Sequence, residues 1–491
     1  MRKEHFTTRP KFCAMALIGA GALLMASCAV DGFDDETFRS DVSGVVLESP
    51  NADDITVVSS ADGKTQTFTW PVVQGAGGYI VTFYDEANPQ EPIVKDSLVD
   101  GCSITTTREE DMKYIFSIRT IGNPEKHNGD ALEVTTKLVS TFTPTFATIP
   151  AGSDLNEWFA ANPVPEQALT ENLNYDLIGG SDYTLSGELD FDAHKVTLRS
   201  TNKANHAKIT YTTNEATINF GAAFNAKYLD FDCSGMDHSK GVFGFSKAPS
   251  AEKNTEYDFV IIEDPVSILN CNFKNVDGYF IWDNRKGQKI AFMTVLVDNC
   301  VVQMYHTKIS NGAVIWVNNG GYINDLTVQN STFYNLSADG DLKYMCMAGG
   351  YRCTNIGAST NSVSYKNCTF YRIGWKEGEF GNYNAMKGKT SSYWVMTNCI
   401  CLNSSTKGGV PRRFLAGSAY PATSECVKFA NNTYCQKADD GTVTFDPVGN
   451  FDVSGTQIEE DPLFANPDAG DFHISGATQL SLKTGDPRWL P

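Results

Sequence analysis

In the second half of the chain, apolar and polar residues alternate in short runs that end the same way. Residues 267–276 read SILNCNFKNV, 295–305 VLVDNCVVQMY, 325–336 DLTVQNSTFYNL, 363–374 VSYKNCTFYRIG, 394–404 WVMTNCICLNS and 427–436 VKFANNTYCQ. A period of two predicts strands, and no helical period competes with it. Aligned on the residue after the recurrent Asn, the positions are Ser200, Cys233, Cys271, Cys300, Ser331, Cys368, Cys399 and Asn432, at intervals of 33, 38, 29, 31, 37, 31 and 33. A fixed motif at uneven intervals means one structural unit per repeat, with loops of variable length between units. Such units bury their apolar positions by stacking as coils about 4.8 Å apart, so residues 196–491 are expected to form a right-handed parallel β-helix. The small residue fills a tight corner, and the Asn stacks on the Asn of the next coil. Asn270, Asn299, Asn330, Asn367, Asn398 and Asn431 form this ladder, with Asp232 at the first matching position. A buried amide left unpaired costs about 1–3 kcal/mol, which favours an unbroken row.

Residues 42–145 follow a different pattern. KTQTFTWPVV, GGYIVTFYD and YIFSIRTIG are alternating runs separated by turn signals, as in a β-sandwich. Trp70, Tyr79 and Tyr114 fall where a fibronectin type III module places its core aromatics, so the segment resembles that module and reads as a spacer. Residues 146–195 read as a cap on the β-helix. SDLNEWFAAN is a short helix with Ser153 as N-cap, ended by Pro163 and Pro165, and DYTLSGELDF is a strand.

The N-terminus and the charge narrow the setting. Arg2, Lys3, Arg9 and Lys11 precede a short apolar run ending in LMASC, which resembles a bacterial lipobox. That resemblance implies a signal peptide over 1–27, lipidation of Cys28 and an acidic tether over 28–41, as in surface lipoproteins of Bacteroidota. The expected location is the outer membrane, facing the exterior and held by the lipid anchor alone. Cleavage removes four basic residues and one acidic one, taking the net charge from −19 to −22. That balance argues against nucleic acid as a partner, because phosphate binding needs clustered Lys and Arg. Of 13 Cys, 11 remain after Cys13 and Cys28 are set aside, and most sit in the repeat, which suggests packing rather than bridging.

The end of the chain, DPLFANPDAGDFHISGATQLSLKTGDPRW, resembles the closing stretch of pectate-lyase-like β-helix proteins, where a folded-back tail covers the last sheet edge. Taken with the lipobox, the sandwich and the N-C-x-F repeats, the chain resembles Bacteroidota surface lipoproteins that join a fibronectin-like domain to such a β-helix and occur with polysaccharide-utilisation systems. The resemblance implies binding of an extracellular polysaccharide, with uronic-acid chains as one class, beside outer-membrane glycan-uptake proteins. A polysaccharide lyase and a structural or adhesive surface protein are the alternatives.

Candidate chemistry sits in the long loops between coils. Tyr279, Trp282, Tyr305, Trp316, Tyr344, Tyr351, Trp375 and Tyr383 are candidates for stacking on sugar rings. A lyase needs a base and a means of neutralising the uronate. GGVPRRFLAG resembles part of a pectate-lyase segment without its first Arg, leaving Arg412 and Arg413 as candidate bases. No cofactor is expected; calcium on Asp230, Asp232 and Asp237 is the alternative. Asp439–Asp440 and Glu377/Glu379 read as solvated loop charges, and His238 and His306 are scattered.

Overall fold

The computed structural model describes residues 42–60, 65–283, 289–305, 312–337, 342–375, 379–406, 408–415, 420 and 424–491. The signal peptide, Cys28 and the tether lie outside the described residues, as do His306 and Glu377. Two units divide between Thr143 and Pro144, just ahead of the expected boundary. Among the described residues no helix is long and apolar enough to cross a membrane.

The first unit is a fibronectin type III-like β-sandwich. Thr56–Ser59, Thr65–Thr69 and Ser103–Thr107 form one antiparallel sheet; Val94–Val99, Ala76–Asp85, Lys113–Gly122 and Thr135–Ser140 form the other, in that spatial order. Alternation turns Phe68, Trp70, Tyr79, Val81, Phe83, Tyr114, Phe116 and Ile118 into one core. Trp70 meets Tyr79 edge-on at 5.4 Å. The two buried phenols keep their oxygens partnered by accepting backbone N–H groups of Val73 and Glu109.

The second unit is the right-handed parallel β-helix: the coils from Leu173 to Asn382 each give one strand to each of three parallel sheets, and among the described residues the last two coils, 392–402 and 427–437, give strands to the first and second sheets only. One coil runs Val266–Leu269, Asn272–Val276, Tyr279–Trp282; the next runs Ile290–Asp298, Val301–Met304, Gly312–Trp316. In the first sheet the inward row is Leu198, Ala226, Ile268, Val297, Val328, Tyr365, Met396, Phe429. In the second it is Ile209, Phe231, Phe273, Val302, Phe333, Phe370, Cys401, Tyr434. Like stacks on like: Phe231 and Phe273 lie parallel, 4.6 Å apart.

Between the first and second sheets the chain turns a sharp corner, and all six ladder asparagines sit there with φ between 49 and 55°. Asn tolerates this left-handed conformation better than other residues with a side chain. Asn299 donates to Asn270, Asn367 to Asn330, Asn398 to Asn367 and Asn431 to Asn398, at 2.5–3.1 Å. The row breaks once: Asn330 donates to Asp298, and Asn299 receives Arg488 instead. The following thiols point inward, and Cys271, Cys300, Cys368 and Cys399 each approach carbonyl oxygens at 3.2–3.5 Å. All 11 described cysteines are free.

Three expectations shift. The corner in the coil before Asn270 is Tyr228 (φ 58°), not Asp232, because Lys227 pairs with Leu269 and Asp230 with Asn272. Coils also begin earlier than residue 196: Leu173–Leu177, Asp182–Leu185 and Glu188–Asp190 already belong to the three sheets. The helix Leu155–Ala161 is capped by Asp154, whose carboxylate accepts from Glu157 N, while Ser153 bonds Pro150 O.

The tail does more than close an edge. It runs back along the outer face of the second sheet, against coil order. Ile458 N bonds Asn432 O, Gly485 N bonds Asn398 O, and Asp486 N bonds Thr369 Oγ1. Thr332 donates to Asp486 at 2.8 Å, and Arg488 reaches the Asn299 carbonyl at 2.9 Å. Phe472 packs with Tyr334, Tyr371, Leu402 and Cys435 in a second, smaller core under the tail.

Candidate functional site

The third sheet presents the face with the clearest cluster of candidate residues. Its outward row is Gly244, Trp282, Trp316, Met347, Asn382, each in register with the next. The residue that follows each of these, Phe245, Asp283, Val317, Ala348 and Tyr383, turns inward, and all but Asp283 join the core. Trp282 and Trp316 are therefore partly exposed neighbours in register on adjacent coils. Tyr279 lies nearly parallel to Trp282 at 5.4 Å and tilted to Trp316 at 5.8 Å. With its amide oxygen turned toward them, Asn319 accepts from both indole Nε1 atoms at 3.3 Å, which fixes the rings side by side.

Asp283 occupies an inward corner and is 1 % exposed. Its carboxylate accepts Asn319 N at 2.6 Å and Gly321 N at 2.8 Å. Burial outweighs these bonds and pushes its pKa up to about 7. A side chain on Gly321 would meet Asp283 Cβ at 2.4 Å, so glycine is required there. The carboxyl thus pins the loop that carries Asn319 beneath the two indoles.

Two coils further along, the row ends at Asn382, beside the helix Val410–Phe414. Arg413 of that helix pairs with Glu379 at 3.3 Å, and Arg412 is exposed. Tyr344 hydrogen-bonds Asn382, and burial raises its pKa. The amide oxygens of Asn318 and Asn382 converge on Gly349, 3.4 and 3.3 Å from where a Cβ would stand. Asn382 Oδ1 is buried and has no hydrogen-bond donor.

Tyr279, Trp282 and Trp316 thus lie together, with Tyr344, Arg412 and Arg413 at the far end of the same sheet. The other aromatics are elsewhere. Tyr383 is 1 % exposed, bonded to the Tyr365 hydroxyl inside the coil, because Asn382 takes the outward position and alternation turns Tyr383 in. Tyr351 packs edge-on against Phe259 in a separate cluster. Trp375 lies under the Arg372 guanidinium, which pairs with Asp468 of the tail. Tyr305 is 48 % exposed. Asn318, Asn319, Asn382 and Asp283 escaped notice, although the spacing of Trp282, Trp316, Met347 and Asn382, one per coil, was the available signal.

The remaining acidic candidates have protein partners. Asp230 binds His206 and Asn272 at 2.9 and 2.8 Å, Asp232 binds Lys208 and Asn275, and Asp237 caps Ser239. Asp440 accepts Thr442 N in a turn, and His238 lies 3.7 Å from Asp237. Among the described residues no group of three His, Cys, Asp or Glu is placed to hold a metal ion.

Three family models match the chain in tandem, each described as a domain of unknown function: DUF4992 over residues 1–186, DUF4957 over 181–336 and DUF5123 over 326–489. No curated protein sequence matches. Among solved structures, a Fn3-like protein from Clostridium thermocellum is similar at 18 % identity over 20 % of this chain and 96 % of that one (TM-score 0.16). Pectate lyase PelI from Erwinia chrysanthemi is similar at 10 % identity over 84 % of this chain and 99 % of that one (TM-score 0.20). A mutant of the PL6 family alginate lyase AlyGC is similar at 15 % identity over 58 % of this chain and 39 % of that one (TM-score 0.36).

Proposed function

We propose that the β-helix binds an extracellular polysaccharide along the outer face of its third sheet. The observation that carries this reading is the in-register pair Trp282 and Trp316, flanked by Tyr279 and locked by Asn319. Aromatic rings fixed in a row along the coil axis offer a linear polymer repeated stacking positions, about 4.8 Å per coil. Fixing the rings beforehand lowers the entropy lost on binding. The sandwich serves as a spacer, and acylation of Cys28 in LMASC would hold the protein at the outer membrane beside glycan-uptake proteins.

The test is retardation of the mature protein in native gels cast with single polysaccharides. Trp282→Ala and Trp316→Ala each weaken retardation without lowering the melting temperature. Retardation unchanged in both variants would overturn the assignment of this face. Ultraviolet absorbance of unsaturated uronate ends, appearing in wild type and lost in Arg412→Ala, would replace binding with a lyase reaction.

A further inference from the structure

The corner ladder between the first and second sheets ends at a cavity, and the end of the row indicates what that cavity accepts. Each ladder oxygen before the last receives an N–H from further along the chain: Asn270 Oδ1 from Asn299, Asn330 from Asn367, Asn367 from Asn398 and Asn398 from Asn431. At Asn299, where the next asparagine turns elsewhere, a guanidinium fills the place. Arg488 bonds Asn299 Oδ1 and O at 2.5 and 2.9 Å, with the Asp486 carboxylate 3.8 Å from its Nε. Asn431 closes the row. Its Nδ2 is spent on Asn398, and among the described residues no donor reaches its Oδ1.

Beyond Asn431 lies a cavity of about 410 Å³, open to solvent and walled by the segment 456–460 and the helix Ala477–Leu482. The side-chain donors in its lining are already engaged: Thr478 Oγ1 with Glu460, Gln457 Nε2 with the Asp446 carbonyl and Thr456 Oγ1 with Ser454. What remains are acceptors, Asn431 Oδ1 and the carboxylate of Glu459, which is exposed and has no partner among the described residues. No Lys or Arg lines the cavity, and Lys437 is paired with Asp461 at 2.9 Å. Such a lining calls for a ligand that only donates, and guanidinium offers five donors in one plane with weaker hydration than ammonium. Leu482, 45 % exposed, supplies an apolar wall for a methylene stem. The net charge of −19 draws cationic partners. We propose that this cavity receives an arginine side chain of a partner protein, its guanidinium donating to Asn431 Oδ1 and Glu459 and its stem lying on Leu482. The site is separate from the third-sheet face and does not rest on the polysaccharide reading.

The test titrates the mature chain, with isotope-labelled leucine methyls, with the N-acetyl amides of arginine, lysine and citrulline at constant ionic strength. The Leu482 signal is the one missing from Leu482→Ile. The arginine derivative should shift it saturably and bind about tenfold tighter than the uncharged citrulline isostere, and also tighter than the lysine derivative. Glu459→Gln, which touches no contact of the fold, should weaken arginine binding about fivefold. Asn431→Gly suits the corner φ of 53° and should weaken it about as much. Equal binding of the lysine derivative would overturn the guanidinium assignment. Arginine binding unchanged in both Glu459→Gln and Asn431→Gly, or a Leu482 signal unmoved by all three compounds, would overturn the site.

Discussion

Replacing Asn367 with Ala tests the corner ladder where it is continuous. Asn367 Nδ2 donates to Asn330 Oδ1 and its Oδ1 accepts from Asn398, each at 3.0 Å, and its φ is 51°. Ala removes two hydrogen bonds, worth about 1 kcal/mol each. It also places a residue without a local hydrogen-bonding side chain in a left-handed conformation, for about 1 kcal/mol more. The sum is about 3 kcal/mol. Asn367→Gly loses the same bonds but not the backbone term, so it should cost about 2 kcal/mol. Asn403 is the control. It too has positive φ (53°), but its two bonds are to the exposed Lys437 backbone, where water can replace them. Asn403→Ala should therefore cost about 1 kcal/mol, mostly from the backbone. Urea midpoints followed by circular dichroism separate the three values. Equal losses for Asn367→Ala and Asn403→Ala would refute the ladder; Asn367→Gly as costly as Asn367→Ala would refute the conformational part.

Three other outcomes are expected. Burial raises the pKa of Asp283 to about 7 and of Asp446 and Asp486 to about 6, so the folded state holds protons that the unfolded chain releases. Stability from these groups is complete below their unfolded pKa, about 4, and is lost as pH rises through 6 to 7; Asp283 alone accounts for about 3 kcal/mol between about pH 5 and pH 8. Urea midpoints should fall over that range, and Asp283→Asn should flatten the fall. Deleting residues 484–491 uncovers Thr332 and Thr369 and should lower stability by about 3 kcal/mol, read as an earlier urea midpoint; an unchanged midpoint would mean that the tail merely rests on the sheet. Among the described cysteines, Cys102 and Cys426 should label with a thiol reagent in the native state, while the nine buried ones, typified by Cys300 with its pKa pushed up to about 12, should label only on unfolding.

The coils from Asn270 to Asn432 were legible because one backbone demand, a left-handed corner, recurs with one residue that meets it. The coil before them was misread because Tyr228 meets the same demand with a different side chain, and nothing in SGMD or LDFD marks the true register. The aromatic face was legible in part. Trp282 and Trp316 stand out by residue type, but Tyr383 differs from Asn382 only by strand phase. A single residue of phase decides whether a ring enters the core or faces water. The Thr332–Thr369 pair under the tail was invisible, since a hydroxyl in a strand gives no sign of what will cover it.

The backward-running tail has a consequence for how such a molecule can change over time. Stacked coils tolerate duplication or loss, since each touches only its neighbours. The tail does not share that freedom. Its last residues meet Asn398, Thr369, Thr332 and Asn299 in succession, so Arg488 finds its partner only if a fixed number of coils lies between. It acts as a ruler laid along the stack. Adding or removing one coil beneath it would shift every contact by about 4.8 Å and leave the Asp486 carboxyl buried without Thr332. Repeat number is thereby fixed over the part of the stack the tail spans, while loop lengths on the third-sheet side, where the aromatic pair lies, stay free to vary.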